Sequence, residues 1–186
     1  MGLEKVKCGK IFFKQEEITG MSVKERCKRG IGYIPSDRYK RAILPGFSLK
    51  DNYLLGNQYK DSYARKGMLN QEYIEKKTKE LMEKFDVRAV NGDQLIGALS
   101  GGNQQKVVIS KALATNPKVL LMDDPTYGVD VGAKTEIMKI INEFKMNGGA
   151  VILASSEIEE VNQNCNRIFI LKGRKLTGEL SNEDYM

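Results

Sequence analysis

The sequence predicts an α/β fold: a mostly parallel β-sheet flanked by helices, with a helical subdomain set into it. Three observations predict it. Short apolar runs (GYIP at 32–35, VLLM at 119–122, AVILA at 150–154) are separated by helical patterns, and that alternation implies a parallel sheet covered on both faces. Two of the runs end in polar pairs, Asp123–Asp124 and Ser155–Ser156, and such sheets bind ligands beyond the carboxyl ends of their strands. Residues 49–98 are more polar and richer in Lys, Glu, Asn and Tyr, which marks a helical insertion with a loop near 58–67.

In chain order, KIFF at 10–13 reads as a strand, and residues 22–28 as a short helix with Ser22 as N-cap. GYIP is a strand ended by Pro35. Asn70 caps a helix in which Ile74, Leu81, Met82 and Phe85 share one face. A helix over 100–116 is stopped by Pro117. VLLM follows, then an amphipathic helix over 133–145 carrying Ile137, Ile140, Ile141 and Phe144, then AVILA. A short helix over 157–164 and a hairpin of 167–171 with 175–180 around Gly173 complete the chain.

Composition narrows the chemistry. The 186 residues are 41% apolar and 29% charged, the profile of a globular domain. The net charge of +6 is spread among Glu residues along 72–84 rather than gathered in a block, which favours a solvated surface over a nucleic-acid footprint. Cys8, Cys27 and Cys165 have no metal-ligand or redox spacing and fit a reducing cytoplasm. With no histidine in the chain, a Ser-His-Asp triad and imidazole metal ligation are excluded. No apolar run reaches the ~20 residues that span a bilayer, and residues 1–10 lack the apolar stretch of a signal peptide.

The strongest motif is Leu99–Lys106, LSGGNQQK, at the start of a helix. A helix N-terminus offers unpaired N–H groups and about half a positive charge. Gly101 and Gly102 let a phosphate approach the backbone closely, and Ser100 adds a hydroxyl; Ser100 is equally a good N-cap. The apolar strand ending in Asp123–Asp124 follows, and a carboxylate there suits Mg²⁺ held beside phosphates. Asp130 stands just before the next helix, where it also suits an N-cap, and Ser155–Ser156–Glu157 closes AVILA.

The order LSGGNQQK, VLLMDDPTYGVDVGAK, VILASSEIEEV resembles the ABC ATPase family, with its P-loop NTPase-like fold. More closely it is similar to the second, C-terminal nucleotide-binding domain of bacterial monosaccharide importers of the ribose, galactose and xylose type. GYIPSDRYKRAILPGFSLKDN matches that group too, where a PEDR-like segment replaces the usual glutamine loop. The resemblance runs from about Gly9 to Leu180. It implies that Ser100, Gly101 and Gly102 contact the γ-phosphate of ATP held by a facing domain, with Asn103 where many ABC proteins carry Gln. It makes Asp123 the Walker B aspartate acting through Mg²⁺, puts Asp124 at the catalytic glutamate position, and assigns Asp130 to the D-loop. Ser156 occupies the switch histidine position and Ser36 the glutamine-loop position. Residues 1–186 would form a partial ABC domain, with 49–98 its helical subdomain facing the membrane subunit and 99–186 its signature, Walker B, D-loop and switch region.

The implied function is the ATP-binding component of a monosaccharide importer on the cytoplasmic face of the membrane. Its partners would be a second ABC domain, transmembrane permease subunits and, indirectly, a periplasmic or lipoprotein substrate-binding protein, with no nucleic acid. The alternatives are a nucleoside importer ATPase of the same group, which SYARKGMLNQEYIEKKTKELMEKFDVRA brings to mind, and a soluble ABC protein acting on ribosomes or nucleic acid.

Two departures from the family pattern carry expectations. G-x-x-x-x-G-K-[ST] has no match: Gly9–Lys10 is followed by Ile11, and Glu4 stands where the first glycine belongs. The chain is therefore expected to behave as a domain without its phosphate loop, binding nucleotide weakly and hydrolysing no appreciable ATP alone. In related ABC domains the strand leading into that loop lies between the Walker B strand and the strand before the switch residue; without it, residues 119–122 and 151–154 would each lose a neighbour, and the isolated chain is expected to rearrange its sheet, self-associate or be only marginally stable. Asp124 for Glu shortens a general base's reach by one methylene, and Ser156 cannot act as an imidazole, so this domain's own site is expected to be catalytically weak while its signature completes a partner's site.

Overall fold

The computed structural model describes residues 1–181; residues 182–186 of the expected 1–186 and 99–186 spans lie outside the described residues. Strands β1 (Phe12–Phe13) and β2 (Glu16–Glu17) form a small antiparallel hairpin, so the expected strand at 10–13 survives only as its last two residues. Helix α1 (Val23–Lys28) starts from a capping box: Ser22 Oγ accepts from the Glu25 N–H at 3.3 Å and the Glu25 carboxylate accepts from the Ser22 N–H at 2.8 Å. β3 (Ile31–Ile34) and the short α2 (Arg38–Arg41, capped by Asp37) follow.

Residues 49–98 hold α3 (Leu49–Leu54), a hairpin of β4 (Ala64–Arg65) with β5 (Met68–Leu69), and α4 (Gln71–Lys84). The loop expected near 58–67 thus contains β4, and its partner β5 follows directly. Asn70 caps α4 through the Tyr73 N–H at 3.1 Å, and Ile74, Leu81 and Phe85 are buried along one face with Met82 beside them. A single 3₁₀ turn, Ile96–Ala98, leads into α5 (Gly101–Leu113). β6 (Val119–Asp123), α6 (Val131–Met146), β7 (Ala150–Ala154), α7 (Ile158–Asn164) and the hairpin of β8 (Arg167–Lys172) with β9 (Lys175–Ser181) complete the order.

The central sheet is parallel, ordered β3-β6-β7. β6 pairs directly with β7, Val119 opposite Ala150 through Asp123 opposite Ala154. The two strands therefore do not each lose a neighbour as expected: they close on each other, which is a rearranged sheet relative to one with a strand between them. β6 is flanked on both sides, because β3 pairs with its other edge, Ile31 opposite Val119. Among the described residues β3 has no strand partner on its outer edge, nor has β7. Coverage of both faces also fails there, since β7 alternates exposed and half-buried residues and Ile152 is 62% exposed.

The core lies where α5 and α6 pack on β3 and β6. Ile34, Leu120, Ile109, Val107, Ile137 and Ile141 are essentially inaccessible there. α5 is buried nearly all round in its first turns: Gln104, Gln105 and Lys106 are polar yet closed off, and Gln104 and Lys106 find partners inside the protein. Lys106 Nζ donates to the Asp86 carbonyl at 2.8 Å and pairs with the Glu136 carboxylate at 2.6 Å and that of Asp86 at 3.1 Å. Those bonds fasten α5 to the end of α4 and to α6. No described helix is long and apolar enough to cross a membrane.

Candidate functional site at the carboxyl ends of the parallel strands

Parallel pairing in register brings the carboxyl ends of β3, β6 and β7 together, and the polar residues just beyond them meet in pairs. Ser36, two residues past β3, donates its hydroxyl to Asp123 Oδ2 at 3.0 Å. Asp124, just past β6, is joined to the end of β7: its N–H donates to the Ala154 carbonyl at 2.8 Å. Its Oδ1 accepts from the Ser156 N–H at 2.8 Å and from the Ser156 hydroxyl at 3.1 Å. Asp124 adopts φ 41°, the left-handed region that a non-glycine residue enters at a cost. The turn aims its carboxylate across to β7, and the three hydrogen bonds hold that conformation.

Beneath this layer is a buried carboxylate. Glu160 of α7 accepts from Thr126 Oγ1 at 3.0 Å and from Ser155 Oγ at 2.5 Å. It therefore ties the loop after β6 to the loop after β7 and fixes the spacing between Asp124 and Ser156.

The LSGGNQQK helix, α5, begins against the loop after β6, where a Cβ on Gly101 would lie 3.2 Å from the Gly128 carbonyl oxygen. Ser100 is its N-cap, with Oγ accepting from the Asn103 N–H at 3.4 Å and from Asn103 Nδ2 at 3.0 Å. Asn103 Oδ1 in turn accepts from the Arg88 N–H at 2.8 Å. Asp130 caps α6 through the Ala133 N–H at 3.0 Å, and its Oδ2 would lie 3.6 Å from a Cβ placed on Gly102. The structure thus gathers Ser36, Asp123, Asp124 and Ser156 into two hydrogen-bonded pairs linked by the peptide bond between the two aspartates. It sets Ser100, Gly101, Gly102, Asn103 and Asp130 beside one another around the first turn of α5. No hydrogen bond joins the two groups directly among the described residues. The link is Arg38, which sequence reasoning did not single out; its signal was its place in the PEDR-like segment, two residues after Ser36. An open cleft of about 430 Å³ is bordered by Ser36, Arg38, Asp124 and Tyr127.

Asp123 and Ser36 offer hard oxygen donors at a strand end, which is the set Mg²⁺ takes when it keeps waters and phosphates as its other ligands. Among the described residues no cluster of three or more acidic, Cys or His groups could hold a metal by itself, so a cation here would depend on a phosphate ligand. Gly9–Lys10 is no phosphate loop in three dimensions. It runs into the β1–β2 hairpin, and Lys10 Nζ pairs with Glu17 at 2.8 Å.

A protein-family model for ABC transporters matches residues 1–127. The chain is 41% identical over 179 residues to the ribose import ATP-binding protein RbsA of Corynebacterium glutamicum, covering 96% of this chain and 34% of that protein. It is 40% identical over 184 residues to the RbsA of Caldanaerobacter subterraneus subsp. tengcongensis, covering 98% and 37%. The chain therefore spans about a third of the length of these curated relatives. Its fold superposes with a TM-score of 0.76 on a dimeric, post-hydrolysis structure of the ATP-binding cassette MJ0796 bound to ADP and Pi, at 24% identity, covering 97% of this chain and 76% of that one. A cassette fold, a family model that spans most of the residues and RbsA proteins that match nearly all of them lead to one conclusion: this chain belongs to the ABC transporter family, as part of an ATP-binding domain.

Proposed function

We propose that the chain serves in the ATP-binding component of an importer for a monosaccharide, working at the cytoplasmic face of the membrane against a second ABC domain and the permease subunits. The observation that carries this reading is the two bonded pairs at the strand ends, Ser36 with Asp123 and Asp124 with Ser156, connected to the LSGGNQQK helix through Arg38. The ribose-import relatives support a sugar as cargo, with a substrate-binding protein delivering it. Residues 49–98 would face the permease.

Each residue has a role in this reading. Ser100, Gly101 and Gly102 would receive the γ-phosphate of ATP held by the facing domain, on free N–H groups and the helix dipole, with Asn103 fixing the Ser100 hydroxyl. Asp123 and Ser36 would hold Mg²⁺, which supplies charge neutralisation at the β- and γ-phosphates when bound. Asp124 would orient water, and Ser156 would hold the Asp124 carboxylate in place. Asp130 would report across the domain interface. Because Asp124 is already engaged by two Ser156 donors and is one methylene short, this domain's own site would contribute little turnover, and its signature would contribute the larger share by completing the facing site.

The test uses the full-length protein with its membrane subunits in proteoliposomes. Ser100→Arg should abolish most ATP hydrolysis stimulated by sugar-loaded binding protein, whereas Asp124→Asn should leave more than about half of it. No stimulation by any sugar-loaded binding protein, or equal losses from the two substitutions, would refute the reading.

A further inference from the structure

Arg38 joins the two halves of the site. It is the first residue of α2, two residues beyond Ser36. Its Nε donates to Gln104 Oε1 at 3.1 Å and its Nη1 to the Tyr127 carbonyl at 3.2 Å. Gln104 is 1% exposed and is itself fixed, with Nε2 donating to the Leu99 carbonyl at 3.0 Å and the Ile96 carbonyl at 3.3 Å. The third guanidinium nitrogen, Nη2, lies 3.0 Å from where a Cβ on Gly101 would sit, so the missing side chain at 101 leaves the room that Arg38 fills. The guanidinium stacks over the Tyr39 ring at 5.3 Å. Among the described residues no carboxylate pairs with it, so its cationic fork is used on neutral acceptors from two separate elements.

We infer that Arg38 is a positioning residue that locks the first turn of the LSGGNQQK helix to the loop behind Asp124, so that the signature end and the Asp123–Asp124 end move as one body. A planar guanidinium can serve Gln104 and Tyr127 at once with fixed angles between the two bonds; an ammonium on a flexible stem can reach one of them. The pair of bonds sets the rotation of α5 about its axis, and with it the direction of the Ser100 hydroxyl and the Gly101–Gly102 N–H groups. Ser36 sits on the same turn of chain and holds Asp123, so a movement of Asp123 is passed to the signature through three consecutive residues.

The inference rests on the proposed transporter function, and the experiment separates the two. In the full-length protein with its membrane subunits in proteoliposomes, Arg38→Ala should lower kcat for ATP about tenfold or more, with KM for ATP within about twofold, because Arg38 touches no part of the nucleotide in this reading. Arg38→Lys should recover part of the loss. Arg38→Ala should cost little further in a Ser100→Ala background, since both act through the same helix end. A wild-type protein without ATP hydrolysis would overturn the transporter reading and this inference with it. An active wild type whose Arg38→Ala variant keeps kcat within twofold, or whose losses multiply with Ser100→Ala, would overturn this inference alone. Where Arg38→Ala does not fold, as read from its thermal melt, Arg38→Lys decides on the same terms, with a loss of about threefold expected.

Discussion

Substituting Gly102 by alanine tests how closely the LSGGNQQK helix, α5, approaches α6. A Cβ at 102 would lie 2.5 Å from Ala133 Cβ, with Asp130 Oδ2 at 3.6 Å and Val129 Cγ1 at 3.8 Å. Carbon atoms in comfortable contact are about 3.5–4.0 Å apart, so α5 and α6 must part by about 1 Å. Neither gives way easily. α6 is held at that turn by the Asp130 cap on Ala133, and α5 by the Gln104 and Lys106 bonds four residues or less away. Overpacking of this kind costs about 1–3 kcal/mol, and replacing a helical glycine by alanine returns up to about 1 kcal/mol. A net loss of about 1–2 kcal/mol is expected, which for a chain of this size lowers Tm by roughly 2–8 °C. Thermal unfolding of the chain followed by circular dichroism measures it. Ala133→Gly should relieve the clash, so the Gly102→Ala/Ala133→Gly double variant should be about 1 kcal/mol or more better than the sum of the singles. A Gly102→Ala variant that melts at or above the wild-type temperature, or strict additivity in the double, would refute the close approach.

Three further outcomes follow from the packing. Asn52 is fully buried; its Nδ2 donates to the Leu44 and Ser48 carbonyls at 3.1 and 3.0 Å, and its Oδ1 accepts from the Leu44 N–H at 2.9 Å. Asn52→Asp would turn a carboxylate on those carbonyls and should cost about 3 kcal/mol or more, read as a fall in the urea midpoint. The Lys106 ammonium hydrogen-bonded to Asp86 holds that carboxyl below the usual aspartate value. A depressed folded-state value stabilises the fold above the unfolded pKa and is lost as pH falls through the folded one, so the stability gap between wild type and Asp86→Asn should shrink on acidification below about pH 4; a gap independent of pH would contradict this. The open edge of β7 with Ile152 exposed predicts concentration-dependent self-association of the chain. Sedimentation velocity should show Ile152→Lys reducing it, and identical profiles for the two proteins would argue against pairing at that edge.

Much of the local structure was legible because it is written within a few residues. Ser22, Asn70, Ser100 and Asp130 are caps whose partners lie three residues ahead, and the apolar runs at 31–34, 119–123 and 150–154 need only their own composition to be strands. The order of LSGGNQQK, DD and SSE fixed the family for the same reason: motif and spacing are properties of the chain itself. Strand order is not. The family resemblance left residues 119–122 and 151–154 each short of a neighbour, whereas the structure pairs β6 and β7 directly; parallel neighbours are joined through long crossover connections, so their pairing is not written in the local sequence. That pairing alone brings Asp124 to Ser156, 32 residues away, and the β3–β6 pairing brings Ser36 to Asp123, 87 residues away. Arg38 became visible only when its partners did, since Gln104 and the Tyr127 carbonyl are 66 and 89 residues distant. The sequence by itself determined which chemical groups the site has and on which elements they stand. The tertiary structure decided which of them touch, because hydrogen bonds of about 3 Å depend on sheet register and helix rotation, and both are set by the core as a whole.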